Sequence, residues 1–304
     1  MQKKIIIAGG SGFIGKPLCS LLTNAGYDVF VLTRSPESAS KALGNSAAPL
    51  LWDAKTSGGW AREAEGALAI VNLAGESVAS GRWTASKRHE ILGSRLNAAR
   101  AVMDAIDHAK KKPALLVQAS AVGFYGSSLV DRVLDENSPA GSGFLARVAR
   151  QWEKATEDAE SFGTRRAVIR TGIVLGDGGA LKKMVLPYRF FAGGHFGTGM
   201  QYLSWIHIED EIEAIRFIIE RKMKGFFNLT APEPVTAGEF SKTLGMVTGR
   251  PAWLNIPSWA VKLVFGRMGA EALLLGQRAV PAALAGAGFR FKYPRLEGAL
   301  RDLL

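Results

Sequence analysis

The chain has 304 residues, 47% hydrophobic and 21% charged, with one cysteine and a formal net charge of +11. A chain of this length buries roughly three quarters of its unfolded surface, and the composition excludes a disordered polymer. A single cysteine excludes an internal disulfide and a cysteine-based zinc site, and Cys19, among Leu18, Leu21 and Leu22, reads as a small core residue.

The opening MQKKIIIAGG runs straight into a strand with no signal-peptide segment. The uncharged stretch 113–130 holds Gln118 with glycines and serines and makes a poor membrane span. A soluble cytoplasmic protein with no membrane partner is the expectation. KIIIAGG is a fully apolar strand ending in glycines, after which Leu18, Leu21, Leu22 and Ala25 recur at helical spacing and Gly26 closes the helix. DVFVLT, PLLWD and ALAIVNLAG give three more strands. A helical pattern runs from Trp83 to His108, ALLVQAS is a fifth strand, and a helix over 143–162 precedes the strand RRAVIR. Continuous apolar strands alternating with helices predict an α/β fold, a doubly wound parallel sheet of the Rossmann type.

After Gly176 the rhythm changes. Glycine-rich GDGG and AGGHFGTG interrupt short strands such as YLSWIHI and FFNLT, and the last residues, from Pro257, read as short helices with a strand-like FRFKY. The expected division is a nucleotide-binding domain over 1–176 and a smaller C-terminal substrate-side lobe over 177–304. The lobe includes an appended helical segment over 257–304, and its later segments are able to return to the first domain. The basic excess toward the C-terminus is spread through apolar helices without an RNA-binding aromatic motif. Solvated faces and a pocket for an anionic ligand account for it, and no nucleic-acid partner is expected.

AGGSGFIG lies between the first strand and its helix. Gly9, Gly12 and Gly15 fit G-x-x-G-x-x-G, and Gly10, Gly12 and Gly15 also fit G-x-G-x-x-G. Such glycines allow a tight turn and let the amides around Ser11, Phe13 and Ile14 approach a pyrophosphate at the helix N-terminus. At the tip of the second strand an acidic residue would bind the ribose of NAD; here stand Thr33, Arg34 and Ser35. Arg34 can pair with a 2′-phosphate, so the expected cofactor is NADP(H).

With these motifs the chain resembles the extended short-chain dehydrogenase/reductases, the family of NAD(P)-dependent epimerases and dehydratases. GGSGFIG is similar to its cofactor loop, NLAG to its fourth-strand motif, SAVGFYG to its fifth-strand motif and SWIHIED to a later one. NLAGES, Arg82–Trp83, GSRL, RTGIVLG and FRFKYP together resemble an atypical subgroup of "epimerase family" proteins with a C-terminal domain of unknown function. The resemblance implies that Leu73, Ala74 and Gly75 lie by the adenosine and that Arg95 reaches the phosphates or the nicotinamide ribose. It also implies cofactor contacts for Glu90 and Val174, against the alternatives of an exposed helical carboxylate and of core packing.

One departure is chemical. Active members of the family carry Tyr-x-x-x-Lys on the helix after the fifth strand, and the tyrosine moves the proton. In GFLARV, at the matching spacing, stand Phe144 and Val148. Ser120 is where the family's serine belongs, although SAVGFYG is one residue longer than the usual loop, and Tyr125 is the nearest phenol. These two are the catalytic candidates, with a structural role the alternative for Tyr125. Arg189, Gln201, Tyr202, Trp205 and His207 are the substrate-side candidates. His207 could instead hydrogen-bond a strand–helix junction, with Asp210 capping the helix that follows. No histidine has metal-ligand spacing, so no metal is expected. The reading is an NADP(H)-binding oxidoreductase or epimerase-like protein acting on a small, anionic or sugar-like substrate, with a homodimer as a possible assembly. The alternative is a non-catalytic NADP(H)-binding sensor or scaffold.

Overall fold

The computed structural model describes residues 3–78 and 81–304. In the first half β1 (Lys4–Ala8), α1 (Gly15–Asn24), β2 (Asp28–Thr33), α2 (Pro36–Leu43), β3 (Ala48–Leu51), α3 (Ala61–Ala64) and β4 (Ala69–Asn72) lead to the long α4 (Ala85–His108). Then come β5 (Leu115–Ala121), β6 (Val133–Leu134), α5 (Phe144–Lys154), β7 (Arg165–Thr171), β8 (Ile173–Leu175), α6 (Gly179–Arg189), β9 (Gly193–Phe196), β10 (Tyr202–Leu203), β11 (Trp205–His207) and α7 (Ile208–Glu220). The chain finishes with β12 (Gly225–Leu229), β13 (Val235–Thr236), α8 (Ala237–Thr248), β14 (Ala252–Ile256), α9 (Ser258–Met268), β15 (Arg278–Ala279), α10 (Ala282–Gly286) and α11 (Leu296–Leu303).

Seven parallel strands form the central sheet in the order β12-β7-β5-β4-β1-β2-β3. The expected doubly wound sheet is therefore present. Its inner strands are apolar on both faces: Ile5, Ile7 and Val71 pack on one side, Ile6 and Ile70 on the other, all fully buried. The strand order reverses between β1 and β4, which opens a crevice beyond their carboxyl ends. FFNLT does not stay in the second lobe; as β12 it joins the edge of this sheet beside β7.

Three local expectations change. YLSWIHI is two strands, because Ser204 between them turns its hydroxyl to the Gln277 carbonyl and accepts from the Ala279 amide. The helix over 143–162 stops at Lys154 and continues only as a short turn over 157–159. FRFKY is not a strand, since the Lys292 and Tyr293 amides donate to the Asp210 carboxylate at 2.7 and 2.9 Å rather than to a neighbouring chain.

Candidate cofactor and active site

The glycine loop is built by close approach. Gly9, with φ of 84°, turns the chain out of β1, and the Gly12 amide closes back on its carbonyl at 3.0 Å. A Cβ at Gly15 would stand 2.3 Å from the Gly9 carbonyl oxygen, and one at Gly10 would stand 2.4 Å from Val31. These glycines let α1 start directly beneath the turn. No side chain caps that helix, and Ser11 and Gly12 are exposed in front of it. An uncapped helix N-terminus beside an open backbone loop fits a pyrophosphate. Phe13 plays a part that the motif does not announce: its ring lies against Gly176, Gly178 and Gly179, docking the loop onto the start of α6. The signal for it was the glycine cluster GDGG itself.

Around the loop stand the other expected contacts. Leu73 donates its amide to Ala8, and Ala74 donates to the Asn72 side chain, so 73–75 closes the neighbouring wall. Arg34 is exposed at the tip of β2, with no carboxylate paired to it among the described residues, while Thr33 accepts from the Ser35 amide and shapes the turn. Arg95 is held by contacts within the protein. Its Nη1 donates to the Glu76 and Ile91 carbonyls, both at 2.9 Å, and its guanidinium lies 4.8 Å from the Trp152 ring centre. Burial lowers its pKa to about 10. It ties the loop after β4 to α4. Glu90 is exposed and pairs with Lys87, and Val174, in the middle of β8, is buried in the core. Both fit their alternative readings.

At the position of the missing pair the structure is apolar. Phe144 meets Trp83 edge-on at 5.0 Å between centroids, and Val148 is buried in a cluster with Trp83 and Ile91 onto which Phe265 and Leu273 pack. Above it opens a cavity of about 240 Å³ lined by Trp83, Arg88, Gly143, Phe144, Arg147 and Glu271. Glu271 accepts from the Leu145 amide at 2.7 Å. This carboxylate was missed in the sequence, where nothing marks it: it comes from more than a hundred residues beyond α5.

Neither catalytic candidate lines that cavity. The Ser120 hydroxyl donates to Glu153 Oε1 at 2.6 Å, and Arg170 grips both oxygens of the same carboxylate at 2.9 and 3.0 Å. Arg170 also donates to the Tyr125 hydroxyl, which donates in turn to Asn228 at 2.7 Å. Burial pushes the Tyr125 phenol up from its usual pKa. The two hydroxyls are thus committed to an internal network that spans β5, α5, β7 and β12.

The substrate-side candidates are not brought together, and none of them lines the cavity. Trp205 is fully buried in a cluster with Leu181, Phe240 and Leu244 and donates to the Glu233 carbonyl. Gln201 is buried and donates to the Phe196 and Leu273 carbonyls. Tyr202 donates to Asp131, and Arg189 is exposed at the end of α6. His207 is the N-cap of α7: its Nδ1 accepts from the Glu209 amide, the Tyr293 ring covers it at 3.9 Å, and burial lowers its pKa. Asp210 does not cap that helix but holds the backbone at 292–293. Among the described residues no cluster could hold a metal ion, and no helix is long and apolar enough to cross a membrane.

The chain is similar to known proteins in sequence and in fold. The model of the "NAD dependent epimerase/dehydratase family" matches residues 5–229, and that of "Domain of unknown function (DUF1731)" matches residues 256–303. The chain is 40% identical to "Epimerase family protein YfhF" of Bacillus subtilis, over 99% of this chain and 97% of that protein. It is 36% identical to the Bos taurus "Epimerase family protein SDR39U1", over 99% of each. A crystal structure of human epimerase family protein SDR39U1 (isoform2) with NADPH superposes with a TM-score of 0.87 at 35% identity, covering 99% of this chain and 98% of that one.

Proposed function

The chain belongs to the NAD dependent epimerase/dehydratase family, and from that premise we propose that it binds NADP(H) and acts as an oxidoreductase or epimerase-like protein on a small, anionic or sugar-like molecule. The observation that carries the reading is the exposed backbone of Ser11 and Gly12 over the uncapped start of α1, with Arg34 unpaired at the neighbouring strand tip. The loop would hold the pyrophosphate and Arg34 the 2′-phosphate. The NADPH in the human relative's structure supports this choice of cofactor.

When bound, NADP(H) supplies or takes up a hydride. The chain's residues handle the rest. Trp83 and Phe144 give the cavity an apolar wall, Arg88 and Arg147 attract an anionic group, and Glu271 is the lining side chain able to hold a proton. The cavity lies where segment 257–304 meets α5, so that segment serves the substrate-side lobe in this reading.

A non-catalytic NADP(H) sensor is the second reading, favoured by the apolar packing of Phe144 and Val148 and by the internal commitment of Ser120 and Tyr125. Incubating the protein with C4-deuterated NADPH and a panel of small aldehydes, ketones and sugar phosphates separates the two. Deuterium in any product supports the enzyme. Tight NADPH binding with no deuterium transfer, and with no epimerisation of the sugar phosphates when NADP+ replaces NADPH, supports the sensor, and failure to bind NADPH overturns both.

A further inference from the structure

Far from the glycine loop in sequence, the second lobe exposes large apolar side chains where such residues are usually covered. Phe190 is 74% exposed, Trp253 70%, Phe191 54% and Leu186 52%. They form one platform. Leu186 and Phe190 stand one helical turn apart at the end of α6, and the Trp253 indole donates to the Phe191 carbonyl at 3.0 Å. Arg250 lies 4.5 Å above the Phe191 ring, and Arg189 is exposed between Leu186 and Phe190. Phe191 keeps its place with φ of 59°, a conformation bulky residues avoid.

The stretches of chain that build this platform carry charge of one sign. Residues 178–208 and 240–270, which supply all of it, contain lysines and arginines but no aspartate or glutamate. A twofold contact between two copies would set Arg189 and Arg250 among cations with no carboxylate to pair them. The surface calls for a partner that is negatively charged at its rim and apolar beneath. Trp253 is suited to that setting, because its N–H is already satisfied within the protein and its ring can leave water without stranding a donor.

We propose that the platform of Leu186, Phe190, Phe191 and Trp253, flanked by Arg189 and Arg250, docks the protein onto the surface of an anionic lipid bilayer. Docking of this kind needs no spanning helix. It revises the expectation that membranes play no part, which rested on the lack of a spanning segment. The aromatic rings enter the headgroup layer while the arginines meet lipid phosphates.

Sedimentation of the full chain with phosphatidylcholine vesicles, with and without phosphatidylglycerol, tests this. Binding is expected with the mixed vesicles, little with phosphatidylcholine alone, and release at high salt. Arg189→Glu with Arg250→Glu should weaken binding at least about 25-fold, from roughly fivefold for each cation removed. Phe190→Ser with Trp253→Ser should abolish it, and because all four side chains face solvent, thermal unfolding should confirm folded variants. A control reversal at exposed Arg100 and Lys110 should stay within about twofold of the unaltered protein. The proposal is overturned by no binding to mixed vesicles, by equal binding to neutral ones, or by equal loss in the control pair. It is also overturned by a concentration-dependent dimer that the Phe190 and Trp253 changes dissolve.

Discussion

Two glycines of one motif should respond to substitution in opposite ways. A Cβ at Gly12 meets only the Gly9 carbonyl oxygen, at 3.1 Å, so a few tenths of an ångström of adjustment accommodates it. A Cβ at Gly15 would stand 2.3 Å from that oxygen and 2.5 Å from the Gly10 Cα, backbone atoms that cannot move away without opening the turn. Gly12→Val should therefore leave the fold intact and place a branched side chain where the pyrophosphate would lie. Losing two charge-assisted amide contacts at about 1.5–3 kcal/mol each removes about 3–6 kcal/mol, or roughly 10²- to 10⁴-fold in NADPH affinity. Gly15→Ala should instead lower thermal stability, since overpacking typically costs about 1–3 kcal/mol. Titration calorimetry with NADPH and thermal melts without it, on both variants, read the two effects separately. A folded Gly12→Val protein that binds NADPH within threefold of the unaltered chain would falsify the assignment of the loop, as would a Gly15→Ala melt that does not move.

Other outcomes follow from the buried charges. Burial raises the Glu211 pKa from 4.5 to about 8, with one carboxylate oxygen unpartnered and the other accepting from Thr171. The folded value lies above the unfolded one, so this contribution to stability is complete below pH 4.5 and is lost as pH rises through about 8. At about 1.4 kcal/mol per pH unit the upper bound is about 5 kcal/mol, and Glu211→Gln should flatten the fall seen by urea unfolding between pH 5 and 9. A slope unchanged in the variant would show that Glu211 is not its source. Glu153→Ala leaves Arg170 buried without its carboxylate and should cost about 3–5 kcal/mol by the same unfolding assay; a loss under about 1 kcal/mol would contradict the network. Tyr125→Phe should lower any hydride-transfer rate by less than about threefold, whereas a general acid would lose about 10²–10⁴-fold.

What the sequence disclosed was whatever is local along the chain. The cofactor loop is contiguous, and its glycines sit between an apolar strand and an amphipathic helix, so motif and context coincide. The parallel sheet was legible because strands buried on both faces read as unbroken apolar runs. Roles that depend on residues arriving from elsewhere were not legible. Ser120 stands where the family's serine belongs, but its sequence neighbours do not show that pairing with Arg170 across β5 and β7 brings both to Glu153. His207 and Asp210 both suit a helix start, and only the arrival of Lys292 and Tyr293 decides that His207 caps while Asp210 holds the returning chain. Trp205 belongs to a recognisable motif, but a motif does not say which face of a strand it presents, and this residue faces the core. Glu271 carried no local signal at all.

The proposed function makes this chain an NADP(H) protein whose cofactor choice rests on Arg34. Equilibrium titration of NADPH and NADH into the unaltered protein and Arg34→Ala tests it most directly. One charge-assisted contact contributes about 1.5–3 kcal/mol, so NADPH should bind roughly 10- to 150-fold more tightly than NADH, and the preference should collapse in the variant. Equal affinities in the unaltered protein, or a preference that survives the loss of Arg34, would contradict it.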